Sequence, residues 1–126
     1  MDLYEWTKQH IKHKDIIQKK LQHITEEDNK IVCQYKDKIT TFLPTKELTK
    51  IAPNDNTTIV CDNTKANVEQ LFMQWNLFSK PEHLIIIFVD TNTNKKWSIC
   101  PHTHDKISER THLKKGLLAL YEHSKE

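Results

Sequence analysis

With 126 residues, 29% charged and 37% hydrophobic, the chain has the composition of one globular domain able to build a core without disulfide or metal staples. Nineteen Lys and Arg against seventeen Asp and Glu leave a formal +2 at pH 7, too weak a balance to mark a nucleic-acid binder by itself, although eight histidines add charge below about pH 6.5. A single glycine, Gly116, excludes Gly-rich phosphate loops of the Walker and dinucleotide types. No run reaches the roughly 20 apolar residues of a transmembrane helix, so no membrane is expected as a partner. The charged start lacks the apolar stretch of a secretory signal. Three cysteines, Cys33, Cys61 and Cys100, make an odd count that reads as buried, reduced thiols, and a cytoplasmic protein is expected.

In chain order, Leu3, Trp6, His10, Ile17, Leu21 and Ile24 recur every three, four or seven residues, predicting a first helix over about residues 2–24. Its other side carries Lys8, Lys12, Lys14, Lys19 and Lys20. Residues 31–35 and 39–43 flank the polar Lys36-Asp37-Lys38 and predict a hairpin closed by Pro44. Residues 45–51 suggest a short helical turn capped by Thr45. The turn cluster Pro53-Asn54-Asp55-Asn56 leads into a strand–helix–strand unit over residues 57–90. In it, Thr57 to Cys61 is a β-branched strand and Asp62-Asn63-Thr64 supplies capping side chains. Val68, Leu71, Phe72 and Trp75 form an apolar helical face, and Leu84 to Val89 is a central strand buried on both faces.

Two strands joined through a helix are parallel neighbours in the simplest reading, which sets Asp62 and Asp90 at the same, C-terminal, edge of the sheet, where open α/β sheets place ligands. Thr91 to Asn94 then turns the chain into a strand over 95–100. Residues 101–105 read as a loop, and a final helix begins near Ser108 or Thr111, with Gly116 allowing close approach of another helix. The expected architecture is one α/β (α+β) domain over 1–126: a single mixed sheet in the order α-β-β-β-α-β-β-α.

Helix, three strands, helix, strand is also the order of the restriction-endonuclease-like core, and in topology the chain resembles the PD-(D/E)xK nuclease superfamily. There an acid from the second strand and an acid-x-Lys tripeptide on the third hold a divalent metal that activates water and stabilises the leaving oxygen. The resemblance implies Mg²⁺ held by Asp62 with Asp90 or Asp37, and Lys65 steadying the attacking water or the phosphate charge. In Asp62-Asn63-Thr64-Lys65 the spacing is one residue longer than in the family, and along a strand one residue turns a side chain to the opposite face. Residues 96–97 and 101–107 also resemble a pattern in small archaeal proteins, to which no activity attaches.

Two further sets carry chemistry. Cys100, His102 and His104 within five residues are zinc-type ligands, although C-x-H-x-H is not a structural-zinc spacing. Lys8, Lys12, Lys19 and Lys20 can contact phosphates of DNA or RNA, giving three to five salt-sensitive contacts. The expectation is a nucleic-acid-binding domain with a degenerate or displaced nuclease site. The alternative is a protein-interaction or homodimerising module, marked by Trp97 and Ile99 uncovered on an edge strand.

Overall fold

In the computed structural model, which describes residues 1–125, the chain folds as α1 (Leu3–Gln18), β1 (Leu21–Glu27), β2 (Lys30–Tyr35), β3 (Ile39–Pro44), a 3₁₀ turn (Leu48–Lys50), β4 (Thr57–Asp62), α2 (Lys65–Met73), α3 (Trp75–Phe78), β5 (Leu84–Asp90), β6 (Lys95–Ile99), α4 (Pro101–Ile107), a second 3₁₀ turn (Arg110–His112) and α5 (Leu113–His123). The six strands form one mixed sheet in sequence order. The first three make an antiparallel meander; β3, β4 and β5 are mutually parallel; β6 returns antiparallel. The expected α+β class and single mixed sheet are present, as are both expected hairpins and the parallel β4–α2–β5 unit. Among the described residues no helix is long and apolar enough to cross a membrane.

The first helix is shorter than its periodicity predicts. It stops at Gln18 because Lys19 adopts a left-handed conformation (φ 52°) and donates its amide to the Asp15 carbonyl. The Asp15 carboxylate then accepts from the amides of Lys20 and Leu21, both at 2.9 Å, turning the chain back along the sheet. Leu21 and Ile24 therefore belong to a strand, β1, while Ile17 is 88% exposed. A two-residue turn, Asp28-Asn29, joins β1 to β2 with φ of 44° and 61°, the left-handed geometry a tight hairpin requires.

Three smaller expectations are also corrected. Residues 101–107 are a helix and not a loop, begun by Pro101, whose missing N–H costs nothing at a first helical position. Neither Ser108 nor Thr111 caps α5, which follows directly from the second 3₁₀ turn. At Gly116 an added Cβ would meet nothing within 4 Å, so this glycine serves no close helix approach.

The sheet has a core on each side. Under α1, Leu3, Trp6 and Ile11 pack on Ile31, Cys33, Phe42, Val60, Ile87 and Val89. The remaining helices cover the opposite face, where Val68, Leu71, Trp75, Phe78, Leu113 and Leu117 enclose Ile59, Cys61, Leu84, Ile86 and Phe88. Trp97 lies over Phe88 with ring centroids 4.3 Å apart and 10° between planes. Its indole N–H donates to Asn63 Oδ1 at 2.9 Å, and Ile99 is buried beside it. These two side chains thus join the core of edge strand β6 instead of forming an uncovered apolar patch. Burial raises the Cys61 thiol above its ordinary value, and that of Cys33 likewise, as befits protonated core residues.

Candidate nucleic-acid interface

The strand-end acids take the positions their topology predicts. Asp62 and Asp90 close the parallel neighbours β4 and β5, with Asp62 in register with Val89. Burial raises the Asp62 carboxyl, the Lys46 ammonium lowers it, and the Asp90 charge raises it. The two acids share a field, but strand alternation directs their side chains to opposite faces of the sheet. Asp90 Oδ1 accepts from the Asn92 amide at 2.9 Å, turning into the β5–β6 connection.

Lys65 is the exposed first residue of α2, and Thr64, not Asp62, caps that helix. The cation acting on Asp62 is Lys46, from the segment after β3. Asn67 joins the two segments: its Nδ2 donates to the carbonyls of Lys46 and Asp62, both at 2.8 Å, and its Oδ1 accepts from the Leu48 amide at 2.9 Å. Asp37, in the β2–β3 turn, pairs with Lys20 at 3.7 Å, away from the β4 and β5 ends. Among the described residues no three His, Cys, Asp or Glu side chains converge to hold a metal ion.

The Cys100-His102-His104 set is spread by α4. Cys100 Sγ accepts from the Thr103 hydroxyl at 3.5 Å and lies 3.6 Å from the Glu82 carbonyl. His102 Nδ1 meets the Ser79 carbonyl at 2.9 Å, and His104 stands edge-on to Trp75. Asp105 beside them has a structural part. It accepts from the Trp75 indole N–H at 2.8 Å and from Arg110 Nε at 3.2 Å, and these bonds hold its carboxyl below the usual range.

The basic helix is more neutralised than its sequence suggests. Lys8 pairs with Glu26 of β1 at 3.4 Å, where Glu26 also accepts from the Tyr4 hydroxyl. Lys20 is paired with Asp37 as above. Lys12 and Lys19 remain exposed on α1 and at its C-cap.

A groove beside α1 escaped the sequence reading. The helix covers the sheet incompletely, leaving a cavity of about 340 Å³ that runs from His10 and Lys14 over Phe42 and Thr58 to His83 and Cys100. A neighbouring hollow extends it over Ile85, Ile87 and Ser98 to Lys96 of β6, and a third lies between His10, His13 and Lys96. The floor is apolar with hydroxyls; the walls are basic. His10, common to all three, stacks on Trp6 at 4.9 Å with 11° between the rings. Trp6 is in turn fixed by donating its indole N–H to Asn94 Oδ1 at 2.7 Å. Burial first, then the charges of Lys96, Lys14 and His13, lower the His10 imidazole from 6.5 to about 4. The apolar stripe contained His10, and Lys14 follows it by one helical turn. Lys96 arrives from the far side of the sheet, and nothing local announces it.

This geometry has a consequence for acid stability. Above pH 6.5 the imidazole is neutral in both folded and unfolded chains and contributes nothing. Between pH 6.5 and about 4 the unfolded chain takes the proton and the folded one resists, so stability falls as pH falls. The ring is partly solvated, and with screening the loss expected by pH 4 is about 1–2 kcal/mol. Urea unfolding of wild type and His10→Gln at pH 7 and pH 4.5 checks this; an equal acid loss in both proteins would show that His10 is not responsible.

The fold and groove define a class, an α+β domain with a six-stranded mixed sheet and a basic cleft along its first helix. No family model, curated protein or solved structure matches the chain.

Proposed function

We propose that the protein binds nucleic acid as a non-catalytic module, with the α1 side of the sheet as the contact surface and the β4–β5 ends as a degenerate nuclease-type site. The observation that carries this reading is the groove itself, where Lys14, Lys38, Lys96 and the histidines 10, 13 and 83 line a hydroxyl-bearing apolar floor. Asp15 and Glu82 are the acids on its walls. Cations on the rim suit backbone phosphates, while the floor suits the less polar sugar and base edges. Lys12 and Lys19 extend the basic track along α1. The meander followed by parallel strands supports the endonuclease-like resemblance, and the opposed directions of Asp62 and Asp90 support loss of catalysis.

Fluorescence anisotropy with labelled single- and double-stranded DNA and RNA, in Mg²⁺ and over a salt series, tests the proposal. Three to five phosphate contacts on a single strand correspond to a slope of log affinity on log salt of about −2 to −3.5. Strands recovered afterwards should be full length. Absence of binding at low salt would overturn the reading, and cleavage abolished by Asp62→Ala would make the strand-end pair catalytic instead of degenerate.

A further inference from the structure

We propose that the groove holds a discrete seat for a phosphoryl oxyanion between Lys14 of α1 and Lys96 of β6, closed by a hydrogen bond from the His10 imidazole. This deepens the nucleic-acid reading and rests on it for the source of the phosphoryl group. The two lysines approach the same hollow from opposite walls, over Ser98 and Thr58. Both are exposed, and neither forms an ion pair among the described residues. Lys96 rests 6.0 Å from the Trp6 ring centroid, the same ring that stacks on His10. With Trp6 tied to Asn94, the imidazole is oriented before any ligand arrives, which lowers the ordering cost of binding.

The charges facing His10 are those of Lys14 and His13 on its own helix and Lys96 on β6. Lys38, Asp15, Glu82 and His83 lie along the longer cavity. Asp15 is occupied in turning the end of α1, its carboxylate accepting two backbone amides. An oxyanion between the lysines cancels the repulsion that disfavours the imidazolium and offers it an acceptor. Binding should therefore be accompanied by proton uptake at His10, and acid should strengthen it.

Sulfate is the suitable first probe, because it stays a dianion across the whole range in which His10 titrates. The readout is the His10 ring resonance, followed by NMR from pH 3.5 to 8 with and without sulfate. With sulfate the midpoint should return from about 4 to about 6, near the ordinary histidine range, and sulfate should bind about tenfold more tightly at pH 5 than at pH 7. Lys14→Ala and Lys96→Ala, both at exposed positions, should abolish the effect while leaving the fold intact.

A short oligothymidylate without a terminal phosphate forms the second arm. If it binds, moves His10 in the same direction and loses about tenfold in affinity with either lysine variant, the seat takes a backbone diester. Oligonucleotide binding that ignores both variants and leaves His10 unmoved would overturn the seat and keep the nucleic-acid reading. Sulfate binding with no oligonucleotide binding would support the seat and overturn that reading. Failure of both probes would overturn both.

Discussion

Asn67→Ala is expected to destabilise the protein by about 3 kcal/mol. The Asn67 side chain is 5% exposed and makes three bonds, all to backbone groups that no strand or helix ladder satisfies: the carbonyls of Lys46 and Asp62 and the amide of Leu48. Alanine leaves the Lys46 carbonyl and the Leu48 amide without partners, each worth about 1–3 kcal/mol if sealed from water, and takes one of two bonds from the Asp62 carbonyl, which still accepts from the Thr64 amide at 2.9 Å. Water can reach the exposed Lys46 end, which sets the total near the lower end of that sum. Asn67→Asp should fare little better, because a carboxylate has no donors for the two carbonyls. Urea denaturation at pH 7 measures the effect; a loss below about 1 kcal/mol would mean that solvent replaces the clamp. The substitution should also release the Lys46 segment from Asp62, so the carboxyl should titrate higher once its cation is no longer held nearby.

Phe88→Ala should cost about 4 kcal/mol. Phe88 lies in β5, the strand next to edge strand β6, is fully buried, and is packed between the covering helices and the stacked Trp97. Its removal forfeits the transfer energy of the ring, opens a cavity and ends the stacking contact. The site cannot collapse easily, because its cross-strand partners Cys61 and Trp97 are held in register on either side by the ladder. Against a total stability of about 5–15 kcal/mol for such domains, this loss leaves little margin. Phe88→Leu should retain more than half of it. Trp97 fluorescence and near-ultraviolet circular dichroism through a denaturant series report both the midpoint and the local packing. A small shift with unchanged Trp97 signals would show that the ring is not the keystone of that face.

The elements that were legible in the sequence are those whose signals are local. Residues 57–90 carry their own strand run, capping side chain and apolar helical face, and the parallel β4–α2–β5 unit appears where these place it. Lys36-Asp37-Lys38 and Thr91 to Asn94 are turns between runs of strand period, and both become hairpins. At β1 the periodicity points to helix, because Ile17, Leu21 and Ile24 keep helical spacing across a helix end made without glycine. The adjacent Asp28-Asn29, both left-handed, was the available hint of a hairpin. Pro101 likewise could have been read as the first residue of a helix.

The candidate site divides in the same way. That Asp62 and Asp90 end adjacent parallel strands follows from chain order and the right-handed crossover alone. Which lysine acts on Asp62 did not follow from spacing. Lys65 is near in the chain, yet Lys46 is the one whose charge lowers the carboxyl, because Asn67 binds the backbone of both segments. The groove is a tertiary product in full. His10 and Lys14 share one helix, but Lys96 enters from the last strand, and the hollow between them exists because one helix is too narrow to cover the face of a six-stranded sheet. Local periodicity sets which face of an element is apolar. Only the packing of those faces decides which polar groups meet over the part of the sheet left open.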